Sequence, residues 1–599
     1  MIAQSTFLEF LTKTPEQKPL NFTHIGRQGE HIKQWVINLS MQTEDDQCAQ
    51  IEKTLSELIL AEMDDSARMK LMEEVYLAIE RVVAQLHNRY IYEAGQLKSS
   101  HLENIAKVKS LYFMSILVFS GVVGRILNKR LPQSATKKAP WKRLLPMAKT
   151  QPNYLAIAIF WSISYYQKLL FEFAIAYQKP PTIIWQQLNQ LYLLAAKEDI
   201  IDIDLSRQTL VREGNTIHLL YSQACLHSLL NLLTYRRQDI IGLSRILPKW
   251  SYHIEASLLP KTKTRVFVNL NSSEPPEYLT PYTSINPYDD QYTCLFIELA
   301  SLLDYLESRR HVEPKGSDDS LVERRLIDKT LLTLKHQYLN RQRRESPRFS
   351  INRQATLLTG FNRIHYHIAG KSSLGNLIKQ KELLDIYLPK YSTRPKPGAV
   401  DVMIEVDLLD QSISGYRFRT RQTLNVLSEC QEDEANRSVF LNLPDSPSAR
   451  WLNESIQFGG ESDGTKQFAP PILQVMSLFA MRSETEMSDP QWAIGIVRWI
   501  ETVEDKLEAG GKLLGLSATA CGIRLENNDG RSQDFVAALL VAGSESLKTR
   551  SSIIIPRYHF KQSDRVILRV HDKQTTLCLQ KSLLSTDDIE QYQVAKIAT

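Results

Sequence analysis

Arg341-Gln-Arg-Arg-Glu-Ser-Pro-Arg348 stands where the hydrophobic pattern of this chain changes period. Upstream, Ser320 and Glu323 have the S-x-x-E spacing of a capping box, and Ile327, Leu331, Leu334 and Tyr338 recur on one helical face, which predicts a helix running into the arginine-rich run. Downstream, short β-branched stretches are separated by Gly, Asp, Ser and Pro turns: VMIEVDLL (402–409), ILQVMSLFAM (472–481), WAIGIVRWI (492–500), KLLGLSA (512–518), FVAALLVA (535–542), SSIIIP (551–556), RVILRV (565–570) and TLCLQ (576–580). Such spacing predicts small barrels or sandwiches. The junction therefore divides a helical front from a β back end.

Working towards the N-terminus, residues 30–260 are dominated by helical spacing, as in Ile51, Leu55 and Leu58 and again in Val75, Ile79, Val82 and Leu86. The Pro/Lys-rich stretch 131–152 interrupts the series and is expected to connect two helical groups. Leu111–Gly124 and Asn153–Gln167 are apolar but shorter than the ~20 residues a membrane-spanning helix needs, so they read as core helices, as do Trp161, Phe171, Trp185 and Tyr192. TRVFVNL (264–270) reads as a strand, and CLFIELASLLDYLES (294–308) as a helix. The expected organisation is a helical region (1–135), a second helical region (136–260), a mixed α/β connector (261–340), a barrel with insertions at 361–397 and 425–468 (341–522), and a C-terminal β-rich domain (523–599).

Composition excludes several classes. At 599 residues, 43% hydrophobic and 23% charged, the chain is an ordinary multidomain globular protein. Lys and Arg number 72 against 67 Asp and Glu, and a net charge of +5 is too small for a general nucleic-acid coat. The six cysteines show no C-x-x-C and no neighbouring His pair, so neither zinc nor redox chemistry is indicated. Without a basic n-region at the N-terminus, the expected compartment is the cytoplasm. AGKSS (369–373) misses a phosphate-binding loop because His365 stands where glycine is needed. His365 and His367 alternate on what reads as a strand, with no third ligand in the sequence around them. No catalytic constellation rises above chance, and no enzyme is expected.

Two motifs remain: Arg344-x-x-x-Arg348, with Arg341 and Arg343 beside it, and Asp410-x-Ser412-x-x-Gly415 in LLDQSISGYRFR. The first pattern occurs about twice by chance in a chain this long, the second ~0.1 times. Asn453 and Ser455 make a near match to the second, one residue out of register. In that order, arginines on a lead-in and then an Asp/Ser/Gly turn among barrel strands, the pair resembles the PilZ domain, the bacterial receptor for cyclic di-GMP. WAIGIVRWIETVEDKLEAGGKLLGLSA (492–518) is similar to the late strands of that family.

The resemblance implies that Arg344 and Arg348 clamp the dinucleotide, since a guanidinium fork bonds two acceptors at once and its face stacks on a base. It implies that Asp410 accepts from a guanine edge, that Ser412 bonds a phosphate or base, and that Gly415 permits close backbone approach. Arg341, Arg343, Arg417 and Arg419 would add positive potential. The even-numbered apolar face Val402, Ile404, Val406 and Leu408 would aim Asp410 and Ser412 inward unless Leu408-Leu409 marks a bulge. The expected function is a cytoplasmic bacterial signalling receptor that binds cyclic di-GMP, without metal or other cofactor, and passes the signal to a protein partner through the helical region. The alternative is a PilZ-like interaction scaffold in motility or surface-attachment machinery that binds no ligand. Nucleic acid and a transmembrane segment are not expected.

Overall fold

The three- and four-residue spacing of apolar side chains in the front half is realised as helices. The computed structural model describes the chain apart from residues 1–3, 13–14, 94, 96, 131–152, 210, 261–263, 281–282, 313–317, 340–351, 379–437, 443–447, 453–472, 484–491, 504–505, 528–530, 532–533, 544–548, 558, 572 and 598–599. The helices of the front half are α1 (Gln4–Thr12), α2 (Ile32–Leu39), α3 (Glu44–Leu60), α4 (Asp65–Asn88), α5 (Ser99–Arg130), α6 (Tyr154–Ile175), α7 (Thr182–Lys197), α8 (Ser206–Thr209), α9 (Ile217–Leu229) and α10 (Arg237–Ser251). Side chains close the starts of α3, α4, α6 and α9: Thr43, Asp64, Asn153 and Thr216 each accept from an amide of the first turn. Each such cap is worth about 1 kcal/mol.

Over Ser99–Lys129, α5 is long and apolar enough to cross a membrane by length and composition, yet 67% of the window is buried inside the protein. It packs on α3, α4 and α6, and Val118, Phe119 and Val122 are buried there with Trp161 and Tyr165 of α6. Both apolar stretches are thus core helices, and Trp161, Phe171, Trp185 and Tyr192 are all buried side chains.

After α10 comes an antiparallel sheet of β1 (Glu255–Ser257), β2 (Val266–Asn269), β3 (Glu277–Tyr278) and β4 (Cys294–Glu298), in the order β1-β4-β2-β3. Here the expected helix 294–308 is corrected. Cys294 to Ile297 are all buried and pair between β1 and β2, so a continuous apolar run favours the sheet centre. The helix, α11 (Ala300–Arg310), begins only after Glu298 Oε1 has accepted the amides of Leu299 and Ala300. The next helix, α12, spans Asp318–Leu339. Its start lies ahead of Ser320, so Ser320 and Glu323 form no capping box at its N-terminus; Glu323 is drawn inward by tertiary donors described below.

The back half is β-rich. The elements are β5 (Asn352–Thr359), α13 (Phe361–Ile368), α14 (Leu374–Leu377), β6 (Ser438–Asn442), β7 (Ser448–Leu452), β8 (Leu478–Ser483), β9 (Ala493–Val503), β10 (Lys506–Gly515), β11 (Ala518–Leu525), β12 (Val536–Val541), β13 (Ser552–Pro556), β14 (Arg565–Val570), β15 (Lys573–Ser585) and β16 (Ile589–Lys596). They close two antiparallel barrels, β10-β7-β6-β5-β8-β9 and β11-β12-β13-β16-β15-β14. Several expectations change. Residues 425–468 are not simply an insertion, because β6 and β7 are barrel strands within them. KLLGLSA is divided between β10 and β11. His365 and His367 lie on a helix, not a strand, since Phe361, Ile364, His365 and Ile368 cover one apolar face of α13. The stretch 402–409 lies outside the described residues.

Alternation assigns each strand face. Cys521, Ile523, Leu525, Ile553, Ile555, Val566 and Leu579 fill the second barrel. Its opposite face, through Ala520, Leu539, Val541 and Ile554, joins Leu478, Ala480, Ile494, Ile496 and Leu514 of the first barrel and Ile364 and Leu377 of the helical segment in one core. At Gly522 a Cβ would stand 2.7 Å from Ile378, so glycine is what lets the chain after α14 lie against β11. The chain divides into two compact units, Met1–Glu93 with Leu97–Arg343, and Arg344–Thr599 with Ala94–Gln96.

Candidate functional site

Arg341, Arg343, Arg344 and Arg348 fall in 340–351, and Asp410, Ser412, Gly415, Arg417 and Arg419 in 379–437, all outside the described residues. What is described is the framework to which both segments are covalently attached.

Upstream, the arginine run follows α12, and α12 is pinned by a buried carboxylate. Glu323 is 3% exposed. Its Oε1 accepts from Trp250 Nε1 (3.0 Å), Lys249 Nζ (3.2 Å) and Tyr305 OH (3.1 Å), and its Oε2 from Lys249 Nζ (2.9 Å) and Arg309 Nη2 (3.1 Å). Burial pushes this carboxyl up, but the donors from Trp250, Lys249 and Arg309 outweigh it and hold it below the ordinary glutamate value. Arg325 with Asp239 (2.9 Å), Arg310 with Asp328 (2.8 Å) and Lys329 over the Tyr235 ring (3.8 Å) add further ties to α10, α11 and the turn before α10. The first half of α12 is therefore tied to α10 and α11.

Downstream, Arg348 stands four positions before Asn352, the first residue of β5, so no more than ~14 Å of chain separates it from the barrel. Asn352 pairs with Asn442 at the end of β6, and Thr356 with Ser438 at its start. Asp410 stands about 28 positions before Ser438, the first residue of β6. The two motif-bearing segments are thus joined along the chain to β5 and to β6, which pair with each other.

On the other side of β5, Thr356 pairs with Arg482 of β8. The Arg482 guanidinium lies 5.0 Å from the centre of the Trp492 ring, and the His367 ring meets Trp492 edge-on at 6.3 Å. Tyr366 meets His367 in the same manner at 5.9 Å. These four side chains are partly exposed. By contrast His365, two residues back and on the other side of the helix, is buried, and its Nε2 donates to the Cys521 carbonyl of β11 (3.0 Å); burial lowers its pKa. Sequence reading passed over Arg482 and Trp492, which only the β8–β9 pairing brings together; an aromatic residue ten positions from an arginine carries no helical or strand signature.

Among the described residues, no group of three or more His, Cys, Asp or Glu is close enough to hold a metal. Burial pushes the thiols of Cys48 and Cys294 up to about 11 and that of Cys521 to about 12, which makes them poor nucleophiles.

Comparison with known proteins divides the chain near 261–266 and near 519–521. Residues 30–261 match a family described as cyclic-di-GMP receptor FimW, N-terminal domain. Residues 266–519 match cyclic-di-GMP receptor FimW, middle PilZ domain, and residues 521–597 the FimW C-terminal beta-barrel domain. The chain is 22% identical to the cyclic-di-GMP receptor FimW of Pseudomonas aeruginosa over 614 aligned positions, covering 98% of this chain and 94% of that protein. No solved structure matches it.

Proposed function

Because this chain belongs to the FimW family, with the helical, PilZ and C-terminal barrel domains in sequence, we propose that it is a receptor for cyclic di-GMP. The observation that carries the reading is the attachment of the two motif segments. Arg344-x-x-x-Arg348 occupies the short link between an anchored helix and the first barrel strand, and Asp410-x-Ser412-x-x-Gly415 leads into the strand paired with it.

In this mechanism Arg344 and Arg348 close on the phosphates and guanine faces, while Asp410 accepts from a guanine N–H edge and Ser412 bonds a phosphate or base. Gly415 leaves room for the ligand against the backbone, and Arg341, Arg343, Arg417 and Arg419 deepen the positive field. Ligand that joins both motifs biases the geometry at which α12 leaves the helical unit, and a protein partner bound to that unit reads the bias. The protein acts in the cytoplasm as a binding protein rather than an enzyme.

Calorimetry of the full chain with cyclic di-GMP tests this. Wild type gives saturable heat, and Arg348→Ala weakens binding by about 10- to 100-fold, the loss of one charged, bidentate contact of about 1.5–3 kcal/mol. No heat from wild type, or undiminished affinity in Arg348→Ala, refutes the reading.

A further inference from the structure

We propose that Arg482, stacked on Trp492 and walled by His367, is a guanine-binding subsite of this receptor; the inference rests on the cyclic di-GMP reading above. The Arg482 guanidinium lies over the Trp492 ring, and both side chains are partly exposed. That is the arrangement that stacks on a purine or forks onto guanine O6 and N7. The cation–aromatic contact, 5.0 Å to the Trp492 centre, fixes the guanidinium before ligand arrives, so little side-chain entropy is lost on binding.

Three observations support the assignment. As with Arg524 over Phe535, no carboxylate among the described residues pairs with Arg482, whereas Arg531, Arg557 and Arg565 of the same unit face Asp564 (2.7 Å), Asp587 (3.7 Å) and Glu526 (2.6 Å). The stack is built from separate elements: α13 supplies His367, β8 supplies Arg482, and Trp492 immediately precedes β9. Trp492 is itself seated against the apolar core shared by the two barrels, so the platform is rigid. Its position suits the ligand as well. Arg482 is paired to Thr356, four residues into the strand that the Arg348 segment enters. A two-base ligand held by the clamp at one end of β5 therefore has a second aromatic and cationic surface on the adjoining strand.

The test compares cyclic di-GMP with cyclic di-AMP on the full-length wild type and on the Arg482→Gln, Trp492→Phe and Trp492→Leu variants, by calorimetry, with thermal midpoints measured alongside. Arg482→Gln is expected to weaken cyclic di-GMP about 10-fold with an unchanged midpoint and to narrow the preference for guanine over adenine. Trp492→Phe keeps a ring and stays within about threefold of wild type, while Trp492→Leu falls about 10-fold. Wild-type affinity and wild-type base preference in Arg482→Gln overturn this proposal alone. Absence of binding by wild type overturns it together with the receptor reading.

Discussion

Replacing Glu323 by glutamine keeps the shape of the side chain and removes its charge, and the structure sets the cost. Glutamine has one oxygen, so the donors now shared between two carboxylate oxygens compete for one acceptor, and its amide N–H groups turn towards Lys249 and Arg309 or towards Trp250 and Tyr305. Losing an acceptor for a buried donor costs about 1–3 kcal/mol, and breaking a fully buried ion pair about 3–5. Lys249 and Arg309 are 44% and 33% exposed, so water replaces part of what they lose. We expect Glu323→Gln to destabilise the helical unit by about 2–3 kcal/mol, and Glu323→Ala by somewhat more. Urea denaturation of the full chain followed by tryptophan fluorescence measures this, with hydrogen exchange of α10 and α12 amides localising it. Because the folded carboxyl titrates below its unfolded value, its contribution is fully present above the ordinary pKa of 4.5 and lost as pH falls through the folded value. The gap between wild type and Glu323→Gln should thus be constant near neutrality and shrink in acid. A loss under about 1 kcal/mol, or a gap that widens below pH 4.5, refutes the assignment of Glu323 as the pin of α12.

His227 gives an acid sensitivity of opposite origin. It is buried against Phe171 (4.6 Å, edge-on) with Nε2 unpartnered, and burial lowers its pKa to about 3. Between 6.5 and 3 the unfolded chain binds a proton that the folded chain refuses, so stability falls with pH by about 1.4 kcal/mol per unit; His227→Leu should remove that slope, and parallel curves would count against it. In the first barrel, Gly495→Ala would place a Cβ 2.2 Å from Phe479 and 2.8 Å from the Lys512 carbonyl oxygen. A loss of about 1–3 kcal/mol in denaturation is expected, partly restored by Phe479→Leu; no loss would mean that the strand pair is not packed as described.

The helical front was legible because its signal is local. Ile51, Leu55 and Leu58, or Val75, Ile79 and Val82, lie on one face by spacing alone, and all are buried. CLFIE failed because a short apolar run suits a buried strand and a buried helix equally, and pairing with β1 and β2 settles it. Glu323 failed for a similar reason: S-x-x-E is a local rule, overridden by an indole, a phenol and two cations from α10 and α11. β6 and β7 were hidden because neither Ser438–Asn442 nor Ser448–Leu452 alternates strongly, and their place comes from hydrogen bonding to β5 and β10.

By itself the sequence determined the order of the protein, helices before barrels, and the motif residues Arg344, Arg348, Asp410 and Ser412 on which the proposed site rests, because periodicity and side-chain chemistry are properties of short stretches. Only the tertiary structure decided that two barrels share one core through α13, that α12 is pinned by Glu323, and that Arg482 lies on Trp492. Each of these joins residues far apart in the chain, through strand register and helix packing that no local pattern encodes.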